Sequence, residues 1–169
     1  ADTNTNTTEP VAGTLYSLEN ATVLTFTDSG ITAQDSSDTG YEIDGTTLTI
    51  TDAGTYAVTG TCADGSITVK KGATGVTLVL NGLALTSADT APITCNKSTQ
   101  VTIVAAEGSV NSLTDSAKNN DGESPDNEAA ENAVIKCKDG SQVTLCGTGS
   151  LTVNANGKNG IKSGATTAE

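Results

Sequence analysis

The sequence contains no Trp, Met, His or Arg, and it has only four aromatic residues among 169 positions. Compact β-sandwiches and barrels usually centre on several large aromatic side chains, so their scarcity disfavours those folds. The lack of His and of any Cys-x-x-Cys spacing disfavours a zinc site. No apolar stretch approaches the roughly 20 residues that a membrane-spanning helix requires. The remaining apolar residues are mostly Val, Ile, Leu and Ala among Thr, Ser, Gly, Asn and Asp, which favours β-strands.

Positive charge is also scarce, since eight Lys face 20 acidic residues and the formal net charge is −12. This balance disfavours nucleic acid as a partner, because binding to phosphates needs clustered Lys and Arg. Solubility alone explains an acidic surface. Binding of divalent cations explains it too, because Ca²⁺ prefers carboxylate oxygens.

Residues 1–12 are polar and offer almost nothing apolar to bury, so we expect a disordered tether. No basic and apolar signal segment is present, and the polar start resembles what remains after export and processing. The sequence thus predicts an extracellular or cell-surface protein of the kind that bacteria secrete.

Aliphatic triplets recur along the second half of the chain. Ile67 is followed 26 residues later by Ile93, and Ile135 is followed 26 residues later by Ile161. The 42-residue gap between Ile93 and Ile135 equals one repeat plus a 16-residue insertion. Each repeat holds a second aliphatic segment about ten residues on, and a third after a glycine. One such repeat cannot bury its apolar side alone, so stacking of repeats is expected.

This pattern predicts an all-β fold, namely a right-handed parallel β-helix with three strands per rung of about 26 residues. The predicted organisation is an N-terminal β cap with the first strands at residues 13–61, followed by β-helix rungs at residues 62–169. Strands at residues 47–50 and 55–58 flank Asp52-Ala53-Gly54, which favours a hairpin or cap.

Four cysteines allow three disulfide pairings. The repeat places Cys95 and Cys137 at one inward position, in line with Val69 and Ser163. Neighbouring strands lie close enough for a bridge, but parallel Cβ directions give it poor geometry, which favours buried free thiols. Cys62 and Cys146 lie far apart in register, and no bridge is expected between them.

An acidic insertion at residues 115–131 contains six acids and one Lys. A solvated surface loop accounts for it as well as a Ca²⁺ site does, and its spacing does not match an EF-hand loop. Asp139 lies in the turn of the next repeat and could add an oxygen ligand. The candidate calcium ligands are Asp115, Asp121, Glu123, Asp126, Glu128, Glu131 and Asp139.

An ordered series of short motifs carries a family resemblance over residues 30–163. The motifs are Ala53-Gly54-Thr55-Tyr56, Gly60-Thr61, Val76-Thr77-Leu78-Val79-Leu80-Asn81-Gly82, Ala91-Pro92-Ile93, Val101-Thr102-Ile103, Leu113-Thr114-Asp115, the segment 147–156, and Asn159-Gly160-Ile161-Lys162-Ser163. The series resembles the carbohydrate-binding β-helix domain family typified by a clostridial cell-surface protein that binds cellulose and pectin.

The resemblance implies a pectate-lyase-like fold, bound Ca²⁺, and non-catalytic binding of plant cell-wall polysaccharide outside the cell. Related lyases use an Arg as base, and this chain has neither Arg nor His, so we expect no enzyme. The resemblance assigns no carbohydrate-binding residue.

Family members continue through further rungs beyond residues 159–163, which would leave the last rung of this chain open. An open rung invites pairing with another chain. The alternative function is therefore a structural subunit of a surface filament or adhesin stalk, with self-association through the C-terminal rung. Neither nucleic acid nor membrane insertion is expected.

Overall fold

The computed structural model describes residues 16–35 and 37–164, where the regular elements are fourteen strands. They are β1 Thr22–Thr27, β2 Gly30–Ala33, β3 Tyr41–Asp44, β4 Thr47–Ile50, β5 Gly54–Cys62, β6 Ser66–Val69, β7 Val76–Thr86, β8 Ile93–Cys95, β9 Gln100–Ala105, β10 Val110–Thr114, β11 Ala133–Cys137, β12 Gln142–Gly147, β13 Ser150–Asn154 and β14 Asn159–Ser163. The predicted all-β class is confirmed. This part of the chain offers no helix with the length and apolarity needed to cross a membrane. The tether predicted for residues 1–12 lies outside the described residues.

The strands form two mixed sheets. The eight-stranded sheet has the order β12-β9-β7-β5-β1-β2, and β10 and β13 join it through β7. The six-stranded sheet has the order β14-β11-β8-β6-β4-β3. Two pairs, β1 with β2 and β3 with β4, are antiparallel, and the other strand pairs are parallel.

The predicted right-handed parallel β-helix with three strands per rung is wrong. The described strands form two mixed sheets with parallel and antiparallel pairing, and no separate third sheet is present among them. The physical reason lies at Gly82, which the repeat pattern placed between two strands. Gly82 instead has a φ of 83° inside the eleven-residue strand β7, so the chain bends there without leaving the sheet.

The neighbouring strand β5 bends at Gly60 in the same way. A register shift lies between Val58 and Gly60, and a Cβ on Gly60 would stand 2.2 Å from the Phe26 carbonyl oxygen. Only glycine fits this close approach of β1 and β5. The predicted hairpin between residues 47–50 and 55–58 is also wrong, since β4 pairs with β3 and β6, whereas β5 pairs with β1 and β7.

The repeat register itself is confirmed. Ile67, Ile93, Ile135 and Ile161 occupy paired positions on β6, β8, β11 and β14. Their side chains alternate with outward residues, so the aliphatic members of both sheets meet in one core that includes Leu48, Ile67, Leu78, Ile93 and Ile103. The core holds few aromatic side chains because stacked aliphatic rows fill the narrow space between the sheets.

The cysteines follow the predicted register. Cys95 pairs with Val69 on one side and Cys137 on the other, and Cys137 pairs with Ser163. All four cysteines are free thiols, and Cys62, Cys95 and Cys137 are buried. Burial in the apolar core, with Cys137 beside it, raises the pKa of Cys95 to about 12.

The two ends of the stack differ. The β1–β2 and β3–β4 hairpins close one end. At the other end β12, β13 and β14 have, within residues 16–35 and 37–164, no strand beyond them. Leu145 and Ile161 are there 47% and 54% exposed although they continue inward rows. Self-association through this edge stays a prediction.

Candidate functional site

The outer face of the six-stranded sheet carries a row of polar side chains. Strand register aligns Thr49, Thr68, Thr94, Lys136 and Lys162 from β4 to β14. These residues point outward because each follows an inward Leu or Ile, and side chains alternate along a strand. Four of them are partly exposed and Thr94 is buried. The row therefore changes from hydroxyl groups to ammonium groups along the stack.

Further lysines lie where the strands of this sheet end. Lys97 follows β8 and Lys138 follows β11, and both line a cavity of about 200 Å³ together with Lys136, Asp139 and Gly164. The Gly72 N–H donates to the Lys97 carbonyl oxygen at 3.0 Å, which ties this turn to the one before it. Consecutive strands lie about 4.8 Å apart, so lysines at equivalent turns fall within one Debye length of each other.

A second cavity, of about 490 Å³, lies at the preceding turns. Lys70 and Lys71 line it, together with Glu42 and Asp52. Six of the eight lysines thus lie on the outer face of this sheet or in the turns after its strands. We call this set the basic stripe: Lys70, Lys71, Lys97, Lys136, Lys138 and Lys162.

The basic stripe concentrates positive charge in a chain whose net charge is −12. In the described residues, Lys138 is the only member of the stripe with a carboxylate within salt-bridge distance. The two lysines outside the stripe, Lys118 and Lys158, are paired with Asp89 and Asp121. The stripe can therefore bind anions, because most of its ammonium groups have no carboxylate partner.

Asp115, a predicted calcium ligand, is buried and holds the chain together. Its Oδ1 accepts hydrogen bonds from the N–H groups of Asn156 at 2.6 Å and Gly157 at 3.0 Å. Its Oδ2 accepts one from the Asn119 side-chain amide at 2.9 Å. Three donors occupy this carboxylate, so Asp115 joins the insertion to the turn after β13.

The same structural use of aspartate recurs at earlier turns. The Asp28 carboxylate accepts from the Ala63 N–H at 2.7 Å, and the Asp64 carboxylate accepts from the Ala88 N–H at 3.0 Å. Each carboxylate satisfies an amide of the next layer, which a turn would otherwise leave without a partner. Asp115 therefore resembles the layer-to-layer contacts of Asp28 and Asp64 more than a metal ligand.

The other predicted calcium ligands are dispersed. Asp121 pairs with Lys158 at 3.6 Å, and Glu131 pairs with Lys138 at 2.6 Å. Glu123 and Asp126 line an open cleft of about 510 Å³ with Asp89 and Lys118. Glu128 is exposed, and Asp139 lies in the lysine-lined cavity.

No group of three or more acids or cysteines able to hold a metal ion is found in the described residues. Their arrangement does not fit a multi-carboxylate calcium site, and calcium binding stays a prediction.

The basic stripe was not predicted from the sequence. Its signal was present in the repeat, because Ile135-Lys136 and Ile161-Lys162 are 26 residues apart. Period-two alternation with an inward Ile places both lysines outward on adjacent strands. The lysines of the turns could not be grouped in this way, because turn lengths differ between repeats.

Comparison with known proteins identifies the family. Residues 44–167 match the family described as carbohydrate-binding domain-containing protein. The chain belongs to this carbohydrate-binding domain family. A relative of the same description from Acetivibrio thermocellus is 37% identical over 123 residues, covering 72% of this chain and 42% of the relative.

A solved structure is also similar. It is the polysaccharide lyase-like protein from C. thermocellum, determined as a gadolinium derivative, with 34% identity and a TM-score of 0.71. The similarity covers 85% of this chain and 56% of that protein. The chain thus spans about half the length, or less, of the proteins that it matches. The family and the Acetivibrio relative are named for binding, whereas the solved structure is named for its likeness to a lyase.

Proposed function

We propose that this carbohydrate-binding domain binds an acidic plant cell-wall polysaccharide of the pectin type, outside the cell and without cleaving it. The observation that carries the proposal is the basic stripe, which places six of eight lysines on one side of an acidic chain. Family membership supports a carbohydrate ligand. The stripe supports an acidic carbohydrate, since the rest of the surface would repel a polyanion.

The polysaccharide would lie along the stripe, with carboxylates against ammonium groups of successive layers. A single exposed ammonium–carboxylate pair contributes only about 0.2–1 kcal/mol. A polymer that meets several lysines gains several such contacts at once, because binding of the first makes the others intramolecular. The hydroxyl groups of Thr49 and Thr68, in the same outward row, are available to the sugar hydroxyls.

Binding without cleavage is supported by the side chains available. The sequence has no Arg or His to serve as a base for proton abstraction. Asp139 is the carboxylate that shares the 200 Å³ cavity with three lysines, and no second carboxylate from the described residues lines that cavity. Glycoside hydrolysis needs two carboxyl groups across the scissile bond.

The test compares polygalacturonate with cellulose by isothermal titration and affinity electrophoresis. The variant Lys136→Gln/Lys162→Gln removes two stripe lysines that lie in register on adjacent strands. Its matched control, Lys118→Gln/Lys158→Gln, makes the same change in net charge outside the stripe. We expect the first variant to bind polygalacturonate at least about tenfold more weakly, and the control to stay within about threefold of the unmodified chain.

Equal losses in the two variants would reduce the effect to net charge and refute the stripe as the site. Retention on cellulose that exceeds retention on polygalacturonate would refute the acidic ligand. Addition of EDTA to the same titrations tests calcium dependence separately. Unchanged affinity in EDTA would leave the lysine site standing and remove calcium from the proposal.

A further inference from the structure

One carboxylate of the chain already occupies the basic stripe. Glu131, the last acid of the insertion, places its Oε1 2.6 Å from the Lys138 Nζ. The two side chains are 22% and 29% exposed, whereas those of the other two ion pairs in the described residues are 45–70% exposed. A charge-assisted contact this short and this shielded from water is stronger than the exposed pairs.

The position of Glu131 is fixed by a buried amide. Asn119 is completely buried, and its Oδ1 accepts from the N–H groups of Glu131 at 2.7 Å and Asn132 at 3.2 Å. The Asn119 Nδ2 donates to the Asp115 carboxylate and to the Ala133 carbonyl oxygen. Asn132 then has a φ of 65°, a left-handed turn that Asn tolerates better than most residues. The backbone that carries Glu131 is therefore held at the entrance to β11.

Lys138 leaves the other end of β11 and lines the cavity that Lys97 and Lys136 share. A carboxylate on Lys138 thus lies beside the ammonium groups that would receive an acidic sugar. It offers Lys138 the same chemical group that a uronate residue would offer.

We propose that Glu131 is an internal competitor for the acidic polysaccharide at the basic stripe. The proposal rests on the proposed function and adds a specificity-determining residue to it. The polysaccharide must either displace Glu131 from Lys138 or bind the remaining lysines beside a fixed negative charge. Both routes weaken binding, the first by breaking an ion pair and the second by repulsion between like charges.

The test is the variant Glu131→Gln, which keeps the size of the side chain and removes its charge. Its matched control is Glu128→Gln, which changes the net charge equally at an exposed residue of the same insertion. In titrations at low ionic strength, we expect Glu131→Gln to bind polygalacturonate about two- to fivefold more tightly than Glu128→Gln. Thermal unfolding of both variants checks that the insertion remains folded.

A double-mutant cycle with Lys138→Gln assigns the gain to the ion pair. The tightening caused by Glu131→Gln should vanish when Lys138 is already Gln. Equal affinities of Glu131→Gln and Glu128→Gln, or weaker binding by Glu131→Gln, would overturn the proposal while the lysine dependence of binding still stood. Loss of lysine dependence in the Lys136→Gln/Lys162→Gln variant would overturn the proposed function and this inference together.

Discussion

The outer faces of the two sheets are built on the same parallel register but meet different partners. On the six-stranded sheet the outward row runs from Thr49 to Lys162 and remains accessible over most of its length. On the eight-stranded sheet an outward row aligns Val23, Ala57, Val79, Val104 and Cys146. This second row is aliphatic, and the chain covers it with its own residues.

The cover is the segment at residues 16–21, which precedes β1. Tyr16 and Ala21 pack against the cluster of Ala57, Val79 and Val104. The Tyr16 hydroxyl also accepts a hydrogen bond from the Glu107 N–H at 3.3 Å, so the segment reaches from β1 to the turn after β9. An apolar row on a sheet surface is stabilised by burial, whereas a polar row is not. The composition of each outward row therefore determines which face is left for a ligand.

The largest effect is expected from exchanging the character of the two rows. Val79→Asp would place a charge under the covering segment at a residue that is fully buried, and should lower the free energy of unfolding by about 3–5 kcal/mol. Thr68→Lys, at a partly exposed site on the open face, should change it by less than about 0.5 kcal/mol. Urea unfolding followed by circular dichroism measures both.

The same pair of variants separates stability from binding. Thr68→Lys extends the basic stripe by one layer and should increase polygalacturonate affinity by about two- to fivefold. If Val79→Asp proves as mild as Thr68→Lys, the covered row contributes little to stability and the contrast between the faces fails.

A smaller effect is expected from loosening the cover itself. Tyr16→Ala removes a partly buried ring from the cluster and should lower the free energy of unfolding by about 2 kcal/mol. Tyr16→Phe keeps the ring and loses only the bond from Glu107, with a cost of about 0.5–1 kcal/mol.

Cys146 reports on the cover directly, since it continues the covered row and is the cysteine that is not fully buried. Its rate of reaction with a thiol reagent should rise in Tyr16→Ala and remain near the original rate in Tyr16→Phe. An unchanged rate in Tyr16→Ala would mean that the segment does not protect this end of the row.

The sequence predicted those features that repeat with fixed spacing. Ile67, Ile93, Ile135 and Ile161 could be aligned from their spacing alone, because the layer-to-layer distance along the chain is constant where no insertion intervenes. The inward position of Cys95 followed from the same alignment. The number of sheets did not follow, because Gly82 has the same letter in the sequence whether it ends a strand or bends one.

The roles of charged residues were harder to predict. Asp115 and Glu131 are both acids of one insertion, yet one binds backbone amides and the other binds Lys138. Carboxylate chemistry suits a cation, an amide or an ammonium group equally well, and only three-dimensional proximity distinguishes them. Proximity across turns of unequal length cannot be calculated from spacing, which also explains why Lys97 and Lys138 were not grouped.

The smallest effect concerns the interior that both faces share. Because the pKa of Cys95 is raised from 9.0 to about 12, its thiol stays protonated in the folded chain at pH values where it ionises in the unfolded chain. Below pH 9 both states are protonated and the group contributes no pH dependence. Between pH 9 and pH 12 the unfolded state gains stability by losing a proton, so the free energy of unfolding falls.

At pH 10 this loss amounts to about 1 kcal/mol for Cys95 alone. Unfolding in urea at pH 8, 9 and 10 measures the slope, and Cys95→Ala should make it shallower because Ala cannot ionise. Cys146→Ala is the matched control on the outer row and should leave the slope unchanged. An equal slope in all three proteins would show that the thiol of Cys95 does not carry the alkaline loss, whereas a selective change would place that loss in the core, beneath a binding face whose lysines remain on the surface.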